Sequence, residues 1–154
     1  MRKYGAYGKI GPARGFTWAE VRCTDGTIRI DRESRRRYRR QARNLNKLRG
    51  VIKKHYTGAT RVNITVNSWY RSPTYNKSIG GAMHSQHVQC RATDIAVTVY
   101  FKSHHVRVSP NVIAQLAEAV PAFHKGGIGW YDVDHGNFTH VDSRPDGPAR
   151  WVNG

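Results

Sequence analysis

His87 and Asp94 stand seven residues apart near the end of the run SWYRSPTYNKSIGGAMHSQHVQCRATD, residues 68–94, and His140 stands far downstream in FTHVD, residues 138–142. Two imidazoles and one carboxylate are a common catalytic zinc set, because three protein ligands leave one coordination position open for water. Each of these residues alone says little: the chain has eight histidines, and an isolated one is more often a surface or core side chain than a ligand. FTHVD also carries a second carboxylate. Residues two apart on a strand face the same side, so His140 and Asp142 share one face and Thr139 and Val141 the other.

The elements that must bring these segments together can be read from periodicity. RVNITVNSW, residues 61–69, alternates Val62, Ile64 and Val66 with polar neighbours, which predicts a strand with one buried face. It delivers the chain to Tyr70-Arg71-Ser72-Pro73, where the proline disfavours helix at Ser72 and ends the strand in a turn. TYNKSI reads as a short helical piece and Gly80-Gly81 as a flexible loop. DIAVTVYF, residues 94–101, is a second strand, opened by Asp94 itself. GGIGWY, residues 126–131, leaves a glycine turn for a strand, and NFTHVDSR, residues 137–144, is the last strand, reached through a loop at Asp132–Gly136. PDGPARWVNG closes the chain.

Two helices flank these strands. Over residues 33–56, Tyr38, Ala42, Leu45, Leu48, Ile52 and Tyr56 recur at intervals of three and four, one apolar stripe. Gly50 weakens that helix locally and Gly58 helps to end it. Ser109-Pro110 reads as an N-cap and a helix-starting proline, followed by the stripe Val112, Ile113, Leu116, Ala117 and Val120, which stops near Pro121. Upstream, Thr17 and Glu20 have the spacing of a capping box, with Phe16, Trp18 and Val21 turned inward. TDGTIRID reads as a turn at Asp25-Gly26 and a short extended piece. With no repeat or linker, the expected organisation is a Gly-rich basic arm, residues 1–15, and one domain, residues 16–154. The fold class is α+β: a small, mainly antiparallel sheet carrying the metal ligands, with the two helices packed around it.

Charge bounds the partners. The 154-residue chain has a formal net charge of +16, which fits a polyanion: nucleic acid, an anionic cell wall or an acidic membrane surface. Much of it lies on helix 33–56, at Arg35, Arg36, Arg37, Arg39, Arg40, Arg43, Lys47, Arg49, Lys53 and Lys54. A charged helix face is commonly just solvated, but like charges at helical spacing are mildly destabilising, so a polyanion-facing surface stands beside that reading. The N-terminus lacks the apolar stretch of a secretory signal, and no apolar run has transmembrane length. The chain is therefore expected to be made in the cytoplasm. Cys23 and Cys90 form no CxxC pair and suggest two free thiols rather than a disulfide framework.

The run from Ser68 to Ile95 resembles the zinc peptidases of the D-Ala-D-Ala carboxypeptidase and L-Ala–D-Glu endopeptidase type, many of them phage or bacterial cell-wall enzymes. The matching residues are Ser68, Tyr70-Arg71-Ser72-Pro73, Asn76, Gly80-Gly81, Ser85, His87, Ala92 and Asp94-Ile95, then Gly126-Gly127-Ile128-Gly129-Trp130-Tyr131, His140-Val141-Asp142-Ser143-Arg144 and Ala149-Arg150-Trp151. The resemblance covers nearly the whole chain from residue 16 and implies a hedgehog/D-Ala-D-Ala peptidase-like fold. It implies zinc on His87, Asp94 and His140, and Arg71 as a catalytic residue steadying the substrate carbonyl or its oxyanion, since a guanidinium keeps its charge and donors at any working pH. Ser85 either binds a substrate carboxylate or closes a local turn; Tyr70 is placed with Arg71 and Ser85 among the substrate-binding residues, and Tyr70, Trp130, Tyr131 and Trp151 either line the cleft or pack in the core, the default for an aromatic.

Two positions depart from the family pattern. The glycine expected three residues after the first ligand is Cys90, which would be strained if that position needs an unusual dihedral. The acidic residue that many relatives carry three before the last ligand is Asn137, and an amide cannot take a proton from water. Asp142 is then the expected general base, or else a carboxylate orienting a ligand, with Asp132, Asp134 and His135 in reserve.

The expected function is hydrolysis of a stem-peptide amide bond in peptidoglycan, by a zinc-dependent phage-type lytic enzyme acting on the wall after release or as part of a phage particle. The chain is expected to be a monomer that holds an anionic wall polymer through the Arg35–Lys54 face. Two rivals remain: a basic nucleic-acid-binding or virion protein, which the arginine helix motivates, and a non-catalytic zinc-stabilised wall-binding module, which Asn137 permits.

Overall fold

The computed structural model describes residues 15–154. The expected basic arm therefore lies, apart from Gly15, outside the described residues. In chain order the elements are α1 (Trp18–Val21), α2 (Arg32–His55), β1 (Arg61–Ser68), α3 (Pro73–Ser78), β2 (Ala92–Tyr100), β3 (His105–Val108), α4 (Pro110–Ala117), α5 (Pro121–His124), β4 (Gly127–Tyr131), β5 (Phe138–Asp142) and β6 (Ala149–Val152). A 3-10 turn, Val133–His135, links β4 to β5.

The strands form a six-stranded sheet in the order β1-β2-β5-β4-β6, with β3 paired to β2 off this path. All pairs are antiparallel except β4 with β6. β5 takes residues 92–95 of β2, and β3 takes residues 97–100 of the same strand. The α+β class and the mainly antiparallel sheet flanked by helices are as expected.

Helix α2 starts where Asp31 accepts a hydrogen bond from the Ser34 amide at 3.0 Å. Its stripe of Tyr38, Ala42, Leu45, Leu48 and Ile52 is fully buried and joins Val62, Ile64, Ile95, Val97 and Val99 of the sheet in one core. A buried polar residue locks the docking: Gln41 donates from Nε2 to Thr93 Oγ1 and to the Val141 carbonyl, both at 3.0 Å. Helix α4 packs on β4 and β5, where Thr139 donates to the Pro110 carbonyl at 2.9 Å. Thr93, Ile95, Thr139 and Val141 thus face the helices. Their neighbours Asp94, His140 and Asp142 face the opposite side, as strand alternation requires.

The structure corrects the reading of several segments. TDGTIRID holds its turn, with the Cys23 amide donating to the Thr27 carbonyl at 2.8 Å, but residues 27–30 join no strand. β3 and β6 were not foreseen: both are four residues long, too short for alternation to show. α4 ends at Ala117, short of the expected stop near Pro121, so Val120 falls outside it as the N-cap of α5, which Pro121 opens. Cys23 and Cys90 are free and buried.

Candidate metal centre

One row of cross-strand neighbours organises the site. Ser68 of β1 faces Asp94 of β2, Asp94 faces His140 of β5, His140 faces Gly129 of β4, and Gly129 faces Trp151 of β6. A register shift between Val66 and Ser68 brings Ser68 into this row. The glycine is a steric requirement: a Cβ on Gly129 would lie 2.1 Å from Trp151 Cε2. With no side chain there, the indole reaches over the sheet to within 5.0 Å of the His140 ring, centroid to centroid. The next row places Gly127 opposite Asp142, and a Cβ on Gly127 would lie 2.3 Å from Asp142 Oδ2.

His87 comes from the loop between α3 and β2. That loop folds on its own bonds: Ser72 caps α3 by accepting from the Tyr75 amide, and Asn76 donates to the Ala82 carbonyl at 2.9 Å. Gly81 is confined by that asparagine, since a Cβ would lie 2.1 Å from Asn76 Oδ1. Cys90 completes the loop with φ +62°, the left-handed region that glycine occupies freely. Its thiol lies buried 3.3 Å from the Tyr38 hydroxyl and is not among the metal-competent cluster.

His87, Asp94 and His140 are all buried, with one ligand atom of each within 4.8 Å of the others. Asp94 Oδ1 lies 3.1 Å from His87 Nε2 and 3.0 Å from His140 Nδ1. The far side of each ring fixes its tautomer. His87 Nδ1 is 2.7 Å from the Trp69 carbonyl, which only accepts, so Nδ1 carries the hydrogen and Nε2 a lone pair. His140 Nε2 is 2.8 Å from Asp142 Oδ2, which leaves a lone pair on Nδ1. Three acceptor atoms therefore converge, and their mutual repulsion calls for a cation among them. Two nitrogens and one oxygen suit zinc, and the outer carbonyl and carboxylate are the partners that orient ligating imidazoles.

The buried charges follow from these contacts. Burial pushes Asp94 up, but His87 and His140 outweigh it and hold the carboxyl well below its usual range. Burial lowers His87, keeping the ring neutral as ligation requires. Burial also pushes His140 down, and the Asp142 and Asp94 carboxylates on either side of the ring reverse the net direction, favouring positive charge between them. Arg71 donates from Nη2 to Asp94 Oδ2 at 2.6 Å and from Nε to Ser68 Oγ at 3.0 Å.

Asp142 stands differently from the expected proton acceptor. It is fully buried and accepts from the Gly127 amide at 2.9 Å, the Arg144 amide at 3.0 Å and the Arg144 guanidinium at 2.6 Å, besides His140. No lone pair remains for a water, and it does not line the cleft. Burial raises its pKa, yet the bonds from His140 and Arg144 leave the net shift downward. This is the orienting alternative, reached through the shared face of His140 and Asp142.

The ligands lie in a cleft of about 590 Å³, also lined by Arg71, Ser85, Tyr131, Phe138, Arg144 and Trp151. Tyr131 and Phe138 stack at 4.2 Å, and the Trp151 indole donates to the Tyr131 hydroxyl at 2.9 Å. Ser85 makes the local turn, its Oγ accepting from the His87 amide at 3.3 Å. Of the two places open to Tyr70, substrate cleft or core, the structure shows the core: it is 8% exposed and away from the cleft lining. Trp130 lines a separate groove beside α4. Asp132 and His135 pair with each other at 2.6 Å outside the cleft. Asn137 has φ +54° and follows Gly136 at +115°, so this position serves a left-handed turn that asparagine tolerates.

Gly127, Gly129 and Arg144 were quoted as motif letters and given no task from sequence. The signal was present in GxG on a strand that ends near a ligand strand: alternate glycines leave one face of that strand without side chains. The Trp69 carbonyl had no signal, because any residue supplies one.

The model of the Peptidase M15 family matches residues 14–142. The chain belongs to this family. Its members are in general zinc-dependent peptidases, and the chain carries a His-Asp-His cluster able to hold the metal. No curated protein matches the chain.

Proposed function

We propose that this metallopeptidase of the M15 family is a zinc-dependent peptidoglycan hydrolase of the D-Ala-D-Ala carboxypeptidase or L-Ala–D-Glu endopeptidase type, with the endopeptidase favoured. The observation that carries it is the convergence of three lone pairs, on His87 Nε2, Asp94 Oδ1 and His140 Nδ1, in an open cleft. Zinc bound there supplies Lewis acidity and makes water nucleophilic near neutral pH. Arg71, anchored on Asp94 and Ser68, presents positive charge to the same cleft, where it steadies the substrate carbonyl as negative charge builds on oxygen. Asp142 keeps His140 in the ligating tautomer, and Arg144 holds Asp142. Tyr131, Phe138 and Trp151 form an apolar wall for the peptide. We assign residues 16–154 to one catalytic unit, acting as a monomer on the wall after release or from a phage particle.

A second reading, a non-catalytic zinc-stabilised wall-binding module, is favoured by one observation: among the described residues the one acidic side chain lining the cleft is Asp94, itself a ligand. The remaining imidazole in that lining is His84, exposed at the rim. Synthetic stem peptides separate the two readings. Zinc-dependent cleavage, with new termini identified by mass spectrometry, supports the hydrolase and names the bond. Loss of thermal stability on chelation without cleavage supports the module. A His84→Ala variant then tests the proton acceptor: replacing a general base lowers kcat by about 10²–10⁴.

A further inference from the structure

Four exposed cations of α2 fall in single file. Arg36, Arg40, Arg43 and Lys47 recur at intervals of four, three and four and all are exposed, so they share the helix face opposite the apolar stripe. At 1.5 Å per residue they span roughly 16 Å. Among the described residues no carboxylate lies within ion-pair distance of Arg40, Arg43 or Lys47, and Glu33 serves Arg36 and Arg37 at the helix start.

This file runs into another cavity, of about 450 Å³, lined by Arg40, Lys125, Ser143 and Arg144 together with Ala122, Pro145, Gly147 and Pro148. Arg40, Lys125 and the Ser143 hydroxyl surround it with Arg144, whose guanidinium is already paired with Asp142, and among the described residues no carboxylate is part of its lining. Arg91 is close by: burial lowers its pKa first, and the neighbouring Arg37 and Arg40 charges lower it further. Glu33 and the exposed Asp146 act in the opposite direction on Arg91. Arg144 lines both this cavity and the metal cleft, so the cationic surface is continuous from α2 to the catalytic centre.

We infer that this track, Arg36, Arg40, Arg43 and Lys47 leading into the Arg40–Lys125–Arg144 cavity, binds a phosphodiester-linked wall polymer, seating one phosphate in the cavity. Four features select that ligand. The cations lie in one file, which matches a single anionic chain better than the two strands of a duplex. Among the described residues the face carries no exposed aromatic for bases to stack on. The cavity offers hydrogen-bond donors from arginine and serine, suited to phosphate oxygens. The track ends beside the cleft that would act on the same wall. The inference extends the proposed function, and its test leaves Arg144 unchanged because that residue also holds Asp142 behind His140.

The test is titration of the full chain with synthetic poly(glycerol phosphate), with duplex DNA of equal charge and neutral dextran as comparators. Expected is binding whose affinity falls on the order of 100-fold between 50 and 200 mM salt, as about five phosphate contacts require. The variant Arg40→Glu/Arg43→Glu/Lys47→Glu should lose at least tenfold in affinity at an unchanged melting temperature. Lys125→Ala alone should lose severalfold. The His87→Ala variant should keep wild-type binding, which supports the track even if stem-peptide cleavage fails. Polymer affinity that is insensitive to salt and to these substitutions overturns the inference. Tighter binding of duplex DNA than of poly(glycerol phosphate) at 150 mM salt overturns it in favour of nucleic acid.

Discussion

The floor of the cleft and the outer face of α2 both concentrate charge, and they do so in opposite ways. At the cleft, Asp94 and Asp142 are buried and every charge is engaged: Asp94 by two imidazoles and Arg71, Asp142 by His140, Arg144 and two amides. On α2, Arg40, Arg43 and Lys47 are exposed, of one sign and without a carboxylate in ion-pair reach among the described residues. A buried charge survives folding when its partners replace water, so its position is fixed by strand register and steric gaps. An exposed charge is screened and can stay unpaired at little cost. The first region specifies geometry, and the second offers attraction.

Substitutions should separate the two regions by size of effect. Replacing His87 or His140 with alanine removes one of three ligands, and stoichiometric zinc binding and peptide cleavage should both be lost, as read by metal analysis of the purified variants. Asp142→Ala should come next. It leaves Arg144 beside an unoccupied buried position and frees His140, so zinc affinity should drop about 10–100-fold and stability by roughly 3–5 kcal/mol. An Asp142→Ala protein with wild-type zinc affinity would refute the orienting role.

The pH dependence sharpens the same contrast. Asp142 sits below its ordinary pKa in the folded chain. Its contribution is therefore fully present above the unfolded carboxylate value near 4 and is lost as pH falls below that, through the folded value. Melting temperatures of chelated protein should decline steeply below about pH 4, and Asp142→Asn should flatten that limb. On α2, by comparison, Arg43→Glu should shift stability by only about 0.5 kcal/mol. The smallest effect tests the helix itself. A Cβ at Gly50 meets nothing within 4 Å, so Gly50→Ala should add about 0.5–1 kcal/mol in denaturant melts.

Much of this molecule was legible in its residues, and the gaps have physical causes. The stripe from Tyr38 to Tyr56 gave α2 to within a residue of its observed bounds, and the alternation at Val62, Ile64 and Val66 gave β1. Strand alternation put His140 and Asp142 on one face, which the 2.8 Å contact bears out. What alternation cannot report is how many donors reach a carboxylate. Six hydrogen bonds reach Asp142: the one from Gly127 crosses strands, a tertiary fact, and those from His140 and Arg144 depend on how side chains two residues away turn back. Tyr70 stayed open between cleft and core for a related reason: adjacent to Arg71 in sequence, it turns into the core while Arg71 turns to the cleft. β6 was hidden because four residues at the chain's end, paired parallel to β4, carry no pattern of their own.

The central claim is that His87, Asp94 and His140 hold one catalytic zinc for stem-peptide hydrolysis. The most direct measurement is turnover of a defined stem peptide by metal-stripped protein as zinc is added back in known equivalents. The account predicts that turnover rises in proportion to bound zinc and levels off at one equivalent, with no response from the His140→Ala variant. Full zinc occupancy with no cleavage of carboxypeptidase or endopeptidase substrates would contradict it.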